Sequence, residues 1–237
     1  MKSEILQTAL KQFLKYGVRE ISIQKLVESL GVSTKTVYKY FKNKEELLED
    51  VLHFYHDKQY EVLNNLPVEK NAACLFFDVW QLAVETQYKV NRDFYTDIRY
   101  YYPELEKRVN VAIGRKFELF FESIIYRGIE QGDFRNDVHS SAALRSVLVL
   151  LTAVVQTDDF KKLRLSATDL LLNTIAVYIR GLCTQKGIKA LEEHIQTVKS
   201  PKKAMMARWK IMRKEGVRTF PSFLFYKPHI YFESISR

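Results

Sequence analysis

A set of donor side chains lies between Ser22 and Lys44: hydroxyls on Ser22, Ser33, Thr34 and Thr36, ammonium groups on Lys35, Lys39 and Lys44, and phenols on Tyr38 and Tyr40. Such groups hydrogen-bond to phosphate oxygens and to the polar edges of bases. Elsewhere His53, His56 and Asp57 share a helix face at i, i+3 and i+4. That trio leaves a metal short of ligands, and His139, His194 and His229 stand alone, so no metal is expected. Cys74 and Cys183 sit in apolar helical surroundings without a CxxC or Cys/His pairing, which offers nothing for a zinc site or a disulfide framework and suits the reducing cytoplasm. Nucleophile elbow, phosphate loop and dinucleotide fingerprint are all missing, so an enzymatic role has no residues to rest on and no cofactor is expected.

The elements that must position the donors follow from apolar spacing. Leu6, Ala9, Leu10, Phe13 and Leu14 make one stripe on a first helix that stops near Gly17. Ser22 caps a second, short helix whose inner face is Leu26, Val27 and Leu30, and Gly31 ends it. Val32 plugs the turn and Ser33 caps a third helix to about Tyr40, with Val37 and Phe41 inward and Thr34, Lys35, Thr36, Tyr38 and Lys39 outward. Asn43, followed three residues on by Glu46, starts a fourth helix to about Leu63.

Three short helices with a glycine-containing turn before the third make a helix-turn-helix, whose third helix enters the DNA major groove. Lys35 then suits a guanine edge and the Thr34 and Thr36 methyls a thymine, while Ser22, the amides opening the second helix, and Lys44 suit phosphates on either side. The segment ILQTALKQFLKYGVREISIQKLVESLGVSTKTVYKYFKNKEELLEDVL resembles the N-terminal domain of the tetracycline-repressor (TetR) family of bacterial transcription regulators. Ile5, Leu6, Ala9, Phe13 and Gly17 carry the likeness in the first helix; Gly31 to Ser33, Val37-Tyr38, Tyr40-Phe41 and Lys44-Glu45 carry it in the recognition region. The resemblance implies a homodimer held by the last two helices, a ligand pocket in the C-terminal domain, and release of operator DNA when ligand binds.

Charge is distributed to match. Residues 1–44 carry nine Lys or Arg against three acids, net +6; residues 45–198 are net −5 and residues 199–237 net +8. A basic head suits a polyanion. With 47% apolar and 27% charged residues but only 8 Gly and 5 Pro in 237 residues, the chain reads as globular and all-α. The longest apolar run, Val147 to Val155, is too short for a bilayer span, and MKSEILQTALKQF lacks a signal-peptide core, so a soluble cytoplasmic protein is expected.

The domains expected are a helix-turn-helix head over 1–48, a helical ligand-binding and dimerisation body over 49–198, and a basic, aromatic extension over 199–237. Body helices are expected near 68–90, 92–101, 103–131, 137–156 and 166–185, with GIEQGDFRND as a loop. Aromatics on the middle helices, Phe77, Trp80, Tyr88, Phe94, Phe117 and Phe121, are the candidate lining for an unidentified small-molecule effector. The last two helices are apolar on more than one face, which makes Leu144, Val147, Leu148, Leu151, Leu171, Ile175 and Ile179 the candidate dimer contacts; a buried hairpin within one protomer explains the same residues. The partners expected are double-stranded operator DNA, an effector and a second copy of the chain, and no membrane. Two other classes share some of these features: a constitutive DNA-binding regulator without a ligand switch, and a helical small-molecule or metal-binding protein that never touches DNA.

Overall fold

The computed structural model describes residues 1–67, 70–157 and 159–198. The chain divides into two compact units, Met1–His194 and Ile195–Arg237. The basic, aromatic extension over 199–237 lies outside the described residues.

The first unit opens with α1 (Lys2–Tyr16), α2 (Ile23–Leu30), α3 (Thr34–Tyr38) and α4 (Lys44–Asn64). Each boundary has a local cause. Gly17 ends α1 at φ +85° and ψ 165°, a region open in practice to glycine alone. A Cβ there would lie 2.9 Å from both Asp93 Cβ and Asp97 Oδ2. Ser22 Oγ accepts from Lys25 N, Ser33 Oγ from Thr36 N and Asn43 Oδ1 from Glu46 N, so all three expected caps form. Caps of this kind contribute about 1 kcal/mol each. Glu46 reaches back to the Lys42 amide at 2.6 Å, one residue earlier than in a regular capping box. The third helix is shorter than expected and ends at Tyr38, with Lys39 as its cap.

The body contains α5 (Ala72–Gln87), α6 (Arg92–Tyr101), α7 (Pro103–Glu130), α8 (Ser140–Gln156), α9 (Ala167–Asn173), α10 (Ile175–Leu182) and α11 (Gln185–Val198). Helices α6 and α7 fall where their spacing placed them. The helix expected over 166–185 is instead broken at Thr174, whose Oγ1 donates to the Leu170 carbonyl at 2.6 Å. A hydroxyl that bonds back to the i−4 carbonyl competes with the helix ladder and bends it. It also ends early, because Cys183 is extended and forms an isolated antiparallel bridge with Phe134.

The loop between α7 and α8 is a structural knot. Asp133, buried, accepts from the Ala72 amide at the start of α5 and pairs with Lys186 at 3.1 Å. A carboxylate at a helix N-terminus is favoured by the unpaired amides there. Phe134 packs against Phe76, and Gly128 makes room for it, since a Cβ on Gly128 would fall 2.2 Å from the Phe134 ring.

Head and body share one core. Ile5, Phe13, Leu26, Val37, Phe41 and Leu47 belong to the same buried cluster as Phe94 and Ile98 of α6 and Leu105 and Val109 of α7. Among the described residues, no helix is long and apolar enough to cross a membrane.

Candidate nucleic-acid interface

Val37 and Phe41 are buried beneath α3, with Val32 packed against the same core. This anchoring turns the remaining side chains outward. Lys35, Tyr38, Lys39 and Tyr40 are exposed, the two phenols by 53% and 40%, while Thr34 and Thr36 are half-buried. The hydroxyls divide by what they already do. Thr36 Oγ1 and Ser33 Oγ bond each other at 3.0 Å, and Ser33 Oγ also caps α3, which leaves its oxygen engaged. Ser22 is exposed at the start of α2, and Lys25 Nζ donates to the Glu20 carbonyl beside it.

Lys44 corrects the sequence reading. Its ammonium does not stand out toward a phosphate but turns onto the Val18 carbonyl at 2.6 Å, where burial lowers its pKa against the opposing pull of Asp97 and Glu20. It braces the turn between α1 and α2.

That turn is held from the body as well. Asn91, at the start of α6, donates its backbone N–H to Leu14 O at 2.8 Å and its Nδ2 to Lys15 O at 3.1 Å, so it satisfies two carbonyls at the end of α1. The buried Asp97 carboxylate accepts from the Arg19 amide at 2.7 Å, and Arg19 Nη1 donates to Tyr101 Oη at 3.0 Å. Sequence spacing pointed to neither Asn91 nor Asp97, whose partners lie far away in the chain.

The candidate ligand residues do not gather into one group. Trp80 stacks on Phe121 at 4.8 Å between ring centres, and Phe94 and Phe117 join the same run of ring contacts through Tyr55, His56 and Tyr60. Phe77 instead packs edge-on against His194, and Tyr88 Oη donates to Leu165 O, so these two tie other elements together. His194 Nε2 also lies 2.5 Å from Asp78 Oδ1, with Lys70 on the same carboxylate. Burial pushes the Cys74 thiol up to about 11 and the Cys183 thiol up to about 12, which keeps both protonated at neutral pH. Among the described residues, no group of three or more His, Cys, Asp or Glu could hold a metal ion.

The dimer candidates need a larger correction. Leu144, Val147, Leu151, Leu171, Ile175 and Ile179 are all buried within one protomer, and of that set Leu148 alone is exposed, at 43%. The apolar side chains left outside on these helices are Leu148 and Val149 of α8 and Val177 of α10, the last two 68% and 56% exposed. The expected contacts thus lie on the inward face of these helices.

A capped third helix with an exposed face over a buried Val37 and Phe41, joined to an all-helical body, defines a helix-turn-helix protein of the regulator class. Residues 5–51 match the family described as bacterial regulatory proteins, tetR family. The chain thus carries an N-terminal domain of the tetR family type. It is 36% identical over 62 residues to an uncharacterized HTH-type transcriptional regulator, YuxN, of Bacillus subtilis (strain 168), a match spanning 26% of this chain and 21% of that protein. The fold resembles that of the fatty acid degradation regulator FadR from Bacillus halodurans (TM-score 0.63, 17% identity, 77% of this chain and 100% of that one). It also resembles a regulator from Saccharomonospora viridis in complex with choline (0.67, 16%, 78% and 98%) and the regulator PfmR from Thermus thermophilus (0.55, 25%, 75% and 96%).

Proposed function

We propose that the chain is a dimeric, ligand-released repressor that reads a palindromic operator in double-stranded DNA and acts in the cytoplasm. The observation that carries this reading is α3 itself: Lys35, Tyr38, Lys39 and Tyr40 stand exposed over a buried Val37 and Phe41. Lys35 and Tyr38 supply base-edge and phosphate contacts, with Thr34 beside them. Ser22 and the first amides of α2 hold the neighbouring phosphates. In a dimer, two such heads meet half-sites about one helical turn, roughly 34 Å, apart or a little more.

The release step rests on differential affinity of an effector for two arrangements of the heads. Helix α4, capped by Asn43 inside the head, runs into the body, and α6 grips the end of α1 through Asn91 and the following turn through Asp97. An effector that shifts either helix alters the spacing of the heads. A structurally similar regulator crystallised with choline supports small-molecule binding by this fold.

Gel shift with the DNA upstream of the protein's own gene is the test. Lys35→Ala and Tyr38→Ala are each expected to weaken specific binding by about tenfold or more, since one good base contact is worth about 1–3 kcal/mol. Both side chains are exposed, so folding is expected to be unaffected. Retention of full specificity by both variants would remove α3 from the interface.

A further inference from the structure

The turn between α1 and α2 is held from three helices, with Arg19 at its centre. The carbonyls on either side of Arg19 are each met by a lysine: Val18 O accepts from Lys44 of α4 at 2.6 Å and Glu20 O from Lys25 of α2 at 2.9 Å. The Arg19 amide donates to Asp97 Oδ2 at 2.7 Å. One turn further along α6, Tyr101 Oη accepts from Arg19 Nη1 at 3.0 Å, and the guanidinium lies over that ring, 5.4 Å from its centre. Backbone and side chain of Arg19 are therefore both oriented by α6, although Arg19 and Tyr101 are exposed.

The chemistry of this arrangement suits an anion. Lys25 and Lys44 spend their ammonium groups on main-chain carbonyls, and the carboxylates of the turn, Asp97 and Glu20, act on Lys44. Arg19 is steadied by a phenol rather than a carboxylate, so its charge is ordered without being neutralised. Its guanidinium has five N–H donors and gives one to Tyr101, whose oxygen accepts here and keeps its own O–H to donate. The position is continuous with the DNA surface. Ser22, at the start of α2, is three residues on, and the start of α4, where Lys44 turns inward, lies against Val18. Arginine and tyrosine side chains are both regular donors to phosphate oxygens.

We propose that Arg19, positioned by Asp97 and Tyr101 of α6, contacts a phosphate of the DNA backbone beside the bases that α3 reads, with the Tyr101 hydroxyl donating to the same or the next phosphate. The operator contact of each head then extends beyond the helix-turn-helix onto a helix of the body. This rests on the DNA reading above and adds to it a contact that carries no sequence preference. It also ties α6 to the nucleic acid directly, so that a movement of α6 alters affinity without any change in α3.

The test measures binding of the full chain across a salt series to two duplexes: the DNA upstream of the protein's own gene, and a scrambled duplex of the same length and composition. Arg19→Ala is expected to weaken both by the same factor, roughly fivefold or more for each head at about 0.1 M salt, and to lower the salt slope by about one unit for each head. Arg19→Lys should restore the slope, and Tyr101→Phe should weaken both duplexes by about threefold with the slope unchanged, because it removes a donor and no charge. The amide bond to Asp97 survives all three changes, so the melting temperature is expected to stay within about a degree of the parent. An unchanged affinity and slope for Arg19→Ala would overturn the contact, and so would a loss confined to the upstream duplex, which marks a base contact. A lower melting temperature with a slope that Arg19→Lys does not restore would also overturn it, by assigning Arg19 to the joint between head and body. Lys35→Ala separates the two proposals. If it leaves the preference for the upstream duplex intact while Arg19→Ala lowers both slopes, α3 is withdrawn and the phosphate contact stands; if Lys35→Ala abolishes the preference while Arg19→Ala changes nothing, only the phosphate contact falls. A parent that binds neither duplex at low salt removes both.

Discussion

His56 shows how a single side chain can carry a pH signature. Its pKa is lowered mainly by burial, with Gln59 opposing and His53 adding to the shift. In the unfolded chain the imidazole titrates near its ordinary value of about 6.5. Between that value and the lower folded one, the unfolded chain binds a proton that the folded chain does not. Stability therefore rises with pH across that window; the contribution is fully present above about pH 6.5 and is lost as pH falls through the folded pKa. His56→Gln removes the titrating group, so its melting temperature is expected to fall less than that of the parent between about pH 7.5 and pH 5.5. Parallel curves for the two proteins would contradict the burial of this imidazole. At this scale the sequence was legible wherever partners were local: Ser22, Ser33 and Asn43 cap helices whose amides lie three residues away. Asn91 and Asp97 were not legible, because Lys15 O and the Arg19 amide meet them only once α1 and α6 have packed.

Helices α8 and α10 show the limit of periodicity at the level of the element. Both are apolar on more than one face, and spacing alone does not say which face meets the protomer's own core. The structure turns Leu144, Val147, Leu151, Ile175 and Ile179 inward and leaves Leu148, Val149 and Val177 outside on helices that pack against each other. If these exposed residues meet a second copy, a charge placed among them loses its water on association. Val149→Arg and Val177→Arg are thus expected to convert a dimer into a monomer in sedimentation velocity, with the protomer's circular dichroism unchanged because neither valine is buried. A dimer that survives both changes would place the interface elsewhere. The break at Thr174 escaped the spacing for a related reason: the hydrophobic stripe continues through it, and only a hydroxyl bonded to Leu170 O marks the bend.

In the molecule as a whole, α6 is the joint. Its first residue and its cap hold the end of α1 through Asn91 and the last turn of α8 through Arg92, whose Nε donates to Gln156 O at 3.2 Å. One turn further on, Asp97 secures the Arg19 amide, and Phe94 and Ile98 enter the core that the head uses. Head and body are consequently parts of one compact unit, Met1–His194, and a disturbance of α6 is expected on both sides. Asp97→Ala combined with Asn91→Ala strips the polar half of this joint and spares the apolar half. Loss of hydrogen bonds of this kind costs about 1–3 kcal/mol where a donor is left unpaired. Local opening then becomes easier than global unfolding. Amide exchange is expected to quicken in α1 and α2 and to stay slow in α8 and α10, with Asp97→Asn restoring protection if its side-chain oxygen again accepts from Arg19. A uniform loss of protection would show that these bonds serve overall stability rather than the joint, and unchanged exchange would assign the coupling to the shared apolar core alone.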